Sequence, residues 1–390
     1  MRFKIIFIIS FFLIVSTINS NAQKEASWWY FGQKSGIHFS KDTIKADTNG
    51  QISTTYSCAS ISDKDGNLLF YTNGDQVWNK QHDSMKNGAN ISISNPWLTN
   101  KFSNVSIIIP HPGNKQQYYI FSINNIHGFS STGSHIYYSI IDMSFENGIG
   151  KVISKNNLLL SDVCFKLTAI HHSNKKSVWL VTHTVNNNSF YSFLINKDGI
   201  NLNPITSNVG SSHITTAPVK SYKYGNLKIS PNGEKIVSLK STPKTGIYAQ
   251  TNFEVFDFNT ANGKVSNPLS TIIQYPYYCE FSSNGQYLYL RIGGQLFQYD
   301  FSKIDSLSFF NSKRFCAYPS SAMQLQLGMD GRIYIGKFGI VSNPFYYLGV
   351  INEPNKEGIS CNYIDSGLYL GGRKVEQGLP FFLQSYFFKP

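Results

Sequence analysis

From Trp28 onward, aromatic and β-branched residues alternate with polar ones in short runs, and Gly, Asn and Asp interrupt those runs at close intervals. Alternation of period two predicts half-buried strands, while the 3.6-residue period of an amphipathic helix is almost absent. The chain therefore reads as all-β. One unit recurs: a short apolar strand, a small residue, an Asn-Gly or Asp-Gly turn, then a strand rich in Tyr, Leu and Ile. Its clearest copies run through Ser230-Pro231-Asn232-Gly233, Ser282-Ser283-Asn284-Gly285 and Gly328-Met329-Asp330-Gly331. Weaker copies turn at Asp65-Gly66, Pro112-Gly113 and Ser173-Asn174. Asn-Gly and Asp-Gly accept positive φ at both centres of a two-residue hairpin, which is the turn expected here.

The turns recur roughly 46–60 residues apart, with a second strand pair after each hairpin, as in the four-stranded blades of a β-propeller. Six units lie within the chain. Trp28–Phe31 and Ile37–Phe39 look like outer strands lacking an inner one, and Leu379–Phe387 looks like an inner strand lacking outer ones. Joining the two ends removes two exposed sheet edges. The expectation is a seven-bladed propeller closed by N- and C-terminal strands, with six blades as the alternative.

Arg2 and Lys4 precede an apolar run from Ile5 to Ile18, and Ser20-Asn21-Ala22 supplies small residues at a cleavage site. This predicts a secretory signal peptide over 1–22 and a single propeller domain over 23–390. No later segment is long and apolar enough to span a bilayer, so the mature chain is expected without a transmembrane segment, and as a monomer. Export places it in the periplasm, on the cell surface or outside the cell.

Charge and cysteines narrow the partners. The chain carries a formal net charge of +12, with its lysines scattered rather than in runs. A basic surface favours acidic partners such as polysaccharide, and export argues against nucleic acid. The five cysteines include no CxxC pair, which excludes metal-knuckle and thioredoxin-like readings and leaves disulfide pairing open.

Catalytic signatures are missing. There is no G-x-S-x-G elbow, Walker loop or dinucleotide fingerprint, and Asp63-Lys64-Asp65-Gly66 reads as a turn rather than a calcium loop. No cofactor is expected. His171, His172 and His183 gather around one hairpin, but adjacent strand residues point to opposite faces, so only one of the first two can join His183. A metal is not expected there. Imidazoles holding loop backbone, or touching a ligand beside Trp179, are the two readings. Aligning the repeats places Ser60, Ile108, Ile170, Lys228, Glu280 and Gln326 at one register of successive inner strands. Lys228, Glu280 and Gln326 would then either form a small ligand site at the channel mouth or pair with one another and brace the ring. The candidate ligand residues are Lys228, Glu280, Gln326, His172, His183 and Trp179. Trp78, Trp97 and Tyr275, near turns, are candidate exposed anchors.

Several stretches carry a family resemblance: WWYFGQKSGIHF, SISDKDGNLLFYTNGDQVWNKQHDSM, LTAIHHSNKKSVWLVTH, FEVFDFNTANGKVSNP and the closing YLGVINEPN, CNYIDSGLYLGG and GLPFFLQSYF. Together they resemble the WD40-like N-terminal propeller of secreted Bacteroidota surface proteins associated with type IX secretion and gliding motility. The resemblance covers nearly the whole mature chain and includes His172, Trp179 and His183. It implies an exported propeller of unassigned activity. Members of that family commonly continue into adhesion-like repeats and a sorting domain, whereas this sequence stops at Phe388-Lys389-Pro390, which gives periplasmic residence added weight. The expected function is a binding or scaffolding module at the cell envelope, recognising a protein or a polysaccharide. The alternatives are a propeller glycosidase or lyase, and a structural spacer of a longer surface protein.

Overall fold

The computed structural model describes residues 23–389, apart from 42, 93–104, 125–133, 214–224, 243–249, 275–277, 304 and 340–344. Residues 1–22, read above as a signal peptide, and Trp97 and Tyr275 lie outside the described residues. The strands form successive blade-like groups in chain order, antiparallel within each; the second, third and fourth groups are continuous as one 12-stranded sheet, the second joined to the third by a parallel bridge between Lys86 and Lys151. The first has three strands, Trp28–Phe31, Ser35–Phe39 and Ile44–Asp47. The second is Ala59–Ser62, Leu68–Thr72, Gln76–Asn79 and Ser84–Ala89. The third comprises Ser106–Pro110, Gln117–Asn124, Ser134–Asp142 and the start of the long strand Lys151–His171. That strand does not stop. Its second half is the inner strand of a fourth sheet with Val178–Thr184, Ser189–Asn196 and Ile205–Asn208. Val163 is the handover point, paired with Ser134 on one side and Thr184 on the other.

Three further four-stranded sheets follow. The fifth is Leu227–Ile229, Lys235–Thr242, Gln250–Phe258 and Val265–Gln274. The sixth is Cys279–Phe281, Tyr287–Ile292, Gln295–Asp300 and Arg314–Ala317. The seventh is Ala322–Leu327, Ile333–Lys337, Tyr347–Ile351 and Tyr363–Tyr369.

Burial falls from first strand to last within a sheet. Ala59–Ser62 and Cys279–Phe281 are wholly buried, while Ser84–Ala89 and Tyr363–Tyr369 are largely exposed. That gradient is what a radial arrangement produces, with inner strands at the axis and outer strands in solvent. Aromatic contacts join the sheets in turn. Tyr30 stacks on Tyr71 at 4.3 Å, Phe70 meets Tyr118 edge-on at 5.5 Å, Phe190 meets Phe256 at 4.9 Å and Phe253 meets Tyr299 at 5.1 Å. The Tyr289 hydroxyl donates to the Pro354 carbonyl, and Trp29 meets Tyr334 at 5.5 Å, so the last sheet returns to the first. The protein is a β-propeller. The aromatic content read from the sequence is therefore mostly mortar between sheets, where such pairs add to the apolar area they bury.

Two expectations are corrected. The recurrent turns are not two-residue hairpins with positive φ at both centres. Gly233, Gly285, Gly331 and Gly66 have positive φ, but the Asn or Asp before each does not. In the fifth sheet Gly233 N–H donates to the Ser230 carbonyl, and Ser230 N–H pairs with Lys235 beyond the turn. The Asn side chain sets this geometry: Asn232 Oδ1 accepts from the Ser230 hydroxyl and the Glu234 N–H, and Asn284 repeats the pattern with Ser282 and Gln286.

The C-terminal segment is the second correction. Leu379–Phe387 is not a strand paired with Trp28–Phe31. It makes one parallel bridge, Phe381 to Ile107, and ends in a 3-10 turn, Gln384–Phe387. The segment lies against inner strands around the ring. Leu379 exchanges hydrogen bonds with the Gln324 side chain, and Phe381 N–H donates to the Cys58 carbonyl. Ser385 meets the His171 ring and Lys389 N–H donates to Ser283. It thus runs along the axis, from the entry ends of the inner strands to their turn ends. Entry requires Gly378, where a Cβ would stand 1.2 Å from the Tyr56 carbonyl oxygen. The first sheet meets the incoming chain at Gln33 and Ser35, which both donate to the Lys374 carbonyl.

The seventh sheet carries an acid-sensitive tie. Asp365, on its outer strand, is bonded by Lys337 at 2.8 Å, by the Tyr363 hydroxyl at 2.6 Å and by Ser320 N–H at 2.9 Å. Partial burial works against its charge, but these donors, with the Ser320 hydroxyl, hold the carboxyl down at about 2. A carboxyl depressed below its unfolded value stabilises the fold above that value and loses the contribution as pH falls through the folded value. The denaturation midpoint is therefore expected to decline between about pH 4 and pH 2, with a shallower decline in Asp365→Asn. Equilibrium urea titrations at stepped pH measure this, and identical acid limbs in the two proteins would contradict it.

Candidate functional site

The structure brings three of the proposed ligand residues together. Lys228 Nζ lies 2.6 Å from Glu280 Oε2 and 3.2 Å from Gln326 Oε1, with the Lys and Glu side chains 3% and 0% exposed. Glu280 accepts from Phe281 N–H at 2.9 Å and from Leu327 N–H at 3.0 Å, and Gln326 donates to the Leu327 carbonyl. Burial pushes the Glu280 carboxyl up, against the pull of Lys228 and the two N–H donors. These donors and acceptors satisfy one another across the fifth, sixth and seventh sheets. Ser60, Ile108 and Ile170, at the equivalent register, are also buried.

His172 and Trp179 form a second group. Their rings stack at 5.6 Å, and His172 Nδ1 accepts from Asn174 N–H, which holds the turn. Trp179 Nε1 donates to the Thr260 carbonyl at 2.9 Å and so ties the fourth sheet to the fifth. Trp78 is half-buried and stacked on Tyr71 at 5.5 Å.

His183 stands apart from both groups, buried at the other end of the fourth sheet. Its ring lies 3.7 Å from that of His213, and Cys164 is beside them. One ligand atom from each of Cys164, His183 and His213 falls within 4.8 Å of the others, a possible metal-holding set. Burial, with the positive charge of Lys166, pushes His183 down to about 3. Lys166, itself fully buried, is pushed down to about 8 by loss of solvent. Sequence reasoning considered His171 and His172 as companions of His183. It missed Cys164 and His213 because they come from a neighbouring strand and a distant loop.

An open concavity lies elsewhere. A cleft of about 840 Å³ is lined by residues of the first and seventh sheets, by the Asp65-Gly66 and Met329-Asp330 turns, and by the C-terminal segment. Lys24, Lys41, Arg332 and Lys389 bring positive charge to it, Asp65 and Asp330 negative charge, and Phe39 and Tyr334 line its wall. Asp330 is engaged by the Tyr334 hydroxyl at 2.9 Å and by Arg332 at 3.5 Å, and Asp65 by Lys64 at 2.8 Å. The cations come from both ends of the chain and from a turn between them, so no local motif announces the cleft. No helix among the described residues is long and apolar enough to cross a membrane.

No family model matches the chain, and no curated protein matches it. Solved structures do resemble it. The Dos1 propeller is 11% identical over 90% of this chain and 80% of its own, with a TM-score of 0.48. The β-propeller domain of Swd1 from Myceliophteria thermophila is 10% identical over 80% of this chain and 94% of its own, with a TM-score of 0.40. A proposed 6-phosphogluconolactonase from Bacteroides fragilis is 16% identical over 78% of this chain and 79% of its own, with a TM-score of 0.40. The propeller assignment rests on the sheet topology described above.

Proposed function

We propose that this propeller is an exported recognition module of the bacterial envelope, and that it binds an acidic polysaccharide or an acidic protein segment in the cleft between its first and seventh sheets. The observation that carries the reading is the cleft itself: four cationic side chains against two carboxylates, at an open surface. Such a surface attracts a polyanion. The leader pattern of residues 1–22 and the resemblance to secreted Bacteroidota propellers support export, and a type IX route is part of the same proposal. In this reading Lys228, Glu280 and Gln326 brace the ring, and His172 and Trp179 fasten two sheets.

Asp65 and Asp330 in one cleft keep a glycosidase or lyase as the second reading. Both acids are engaged by cations, which suits electrostatic recognition better than the protonated acid a glycosidase needs.

The test is retention of solubilised envelope material on the immobilised protein, with bound protein read by mass spectrometry and bound sugar by monosaccharide analysis. Lys41→Glu/Arg332→Glu is expected to cut retention by about tenfold or more, and raised salt to weaken the wild type in parallel. Retention unchanged by both would remove the cleft from consideration. Cleavage of the retained glycan, lost in Asp65→Asn or Asp330→Asn, would move the reading to the enzyme.

A further inference from the structure

We propose that Cys164, His183 and His213 form a buried binding site for one soft or borderline transition-metal cation, Zn2+ or Cu+. The three residues converge from the shared strand, the end of Val178–Thr184 and the loop after Ile205–Asn208, and all are buried. Their ligand atoms lie within 4.8 Å of one another, close enough for a single ion to reach all three after small side-chain movements.

The hydrogen bonds of the two imidazoles point the same way. His183 Nδ1 lies 2.7 Å from the Thr184 carbonyl oxygen. A carbonyl can only accept, so Nδ1 carries the proton, and Nε2 of the neutral ring is left with its lone pair. That Nε2 is buried with no hydrogen-bond partner. A ring that donates one N–H to a backbone carbonyl and turns a bare nitrogen inward is in the state that a metal ligand requires. His213 holds Nε2 against Lys166 at 2.6 Å and leaves Nδ1 buried without a partner; ligation through Nδ1 puts the ring proton on Nε2, which donates it to Lys166 as the free amine. Two buried imidazoles, each with an unsatisfied nitrogen and with centroids 3.7 Å apart, are costly in an empty site. A cation between them satisfies both.

Ligand chemistry and charge limit the ion. One thiolate and two imidazoles suit zinc and copper and do not suit calcium or magnesium. Binding releases the Cys164 thiol proton to solvent as the sulfur–metal bond forms. Lys240 adds positive charge nearby, partly offset by the buried Glu254 carboxylate, and this favours a cation of low charge.

Because the site is sealed, loading is tested through refolding. The full chain, stripped by chelator and unfolded under reducing conditions, is refolded with one equivalent of Zn2+, with Co2+ as a spectroscopic substitute for zinc, or anaerobically with Cu+. After desalting, elemental analysis is expected to find a single equivalent retained in the zinc or the copper arm, and the thermal midpoint to rise with it. If zinc is the ion, the cobalt form shows a thiolate-to-cobalt charge-transfer band. Cys164→Ser is expected to abolish that band, and His183→Gln and His213→Asn to weaken retention by about tenfold or more. Retention of neither metal by the wild type overturns the proposal, and this holds even if the variants fail to fold. Equal retention by Cys164→Ser and the wild type overturns it too, by placing the metal elsewhere.

Discussion

Glu280→Ala is expected to lower the free energy of unfolding by about 3–5 kcal/mol, because it strands a buried ammonium and two backbone donors at once. In the native protein Lys228 Nζ, Phe281 N–H and Leu327 N–H all point at this one carboxylate. After truncation Lys228 keeps only the neutral Gln326 oxygen. The cost lies in what is left behind rather than in the attraction lost, so the double variant Lys228→Met/Glu280→Leu is expected to recover most of it. The pair is out of solvent, so added salt should leave the difference between Glu280→Ala and the wild type unchanged. Urea denaturation of the wild type, Lys228→Met, Glu280→Leu and the double variant measures the coupling, with Glu280→Ala run beside them. A single-variant cost below about 1 kcal/mol would mean that water reaches the network and that the bracing role is wrong.

A chain ending at Gly378 is expected not to hold the native fold. The missing segment contributes Leu379, Phe382, Leu383, Tyr386 and Phe387, all buried. At about 1.5–3 kcal/mol per large apolar side chain, their removal costs roughly 8–15 kcal/mol, which equals or exceeds the whole stability of an ordinary domain. Inner strands would also lose partners, among them the Cys58 carbonyl, the Gln324 side chain and the His171 ring. The truncated protein should therefore collect as aggregates or as an expanded state that binds a hydrophobic dye. A synthetic peptide covering 379–390, supplied in excess, should restore part of the native signal. A soluble monomer that unfolds at the wild-type midpoint without the peptide would show that the ring is self-sufficient.

Much of this fold was legible in the sequence. Period-two alternation located strands such as Ser189–Asn196 and Gln295–Asp300, and Gly66, Gly233, Gly285 and Gly331 fell where a left-handed φ was needed. The pairing of Lys228 with Glu280 was one of two readings that the aligned register left open. What was not legible has physical causes. The turn type depends on a side chain, Asn232, bonding its own loop, which a dipeptide pattern does not distinguish from a tighter hairpin. The segment Leu379-Pro380-Phe381-Phe382-Leu383 lacks alternation because it is packed on both sides at the ring centre. Continuous apolarity there reads, from sequence, as an inner strand. Asn156-Asn157 and Ser161-Asp162 flank three leucines with turn-forming residues, yet left-handed φ at Asn156 and Asp162 lets the strand bend and continue. The candidate cleft and the Cys164–His183–His213 set are assembled from distant positions, which strand patterns alone do not connect.

The uninterrupted strand Lys151–His171 has a consequence for how the molecule comes apart. A propeller whose blades are strung on loops can let one blade open while its neighbour stays closed. Here the outer edge of the third sheet and the inner edge of the fourth are one stretch of backbone, with Val163 bonded to both. Fraying that begins at the rim on one side pulls directly on the hub of the other. The two sheets therefore share one fate, as a single cooperative unit within the ring, and amide protons in both should open to solvent together.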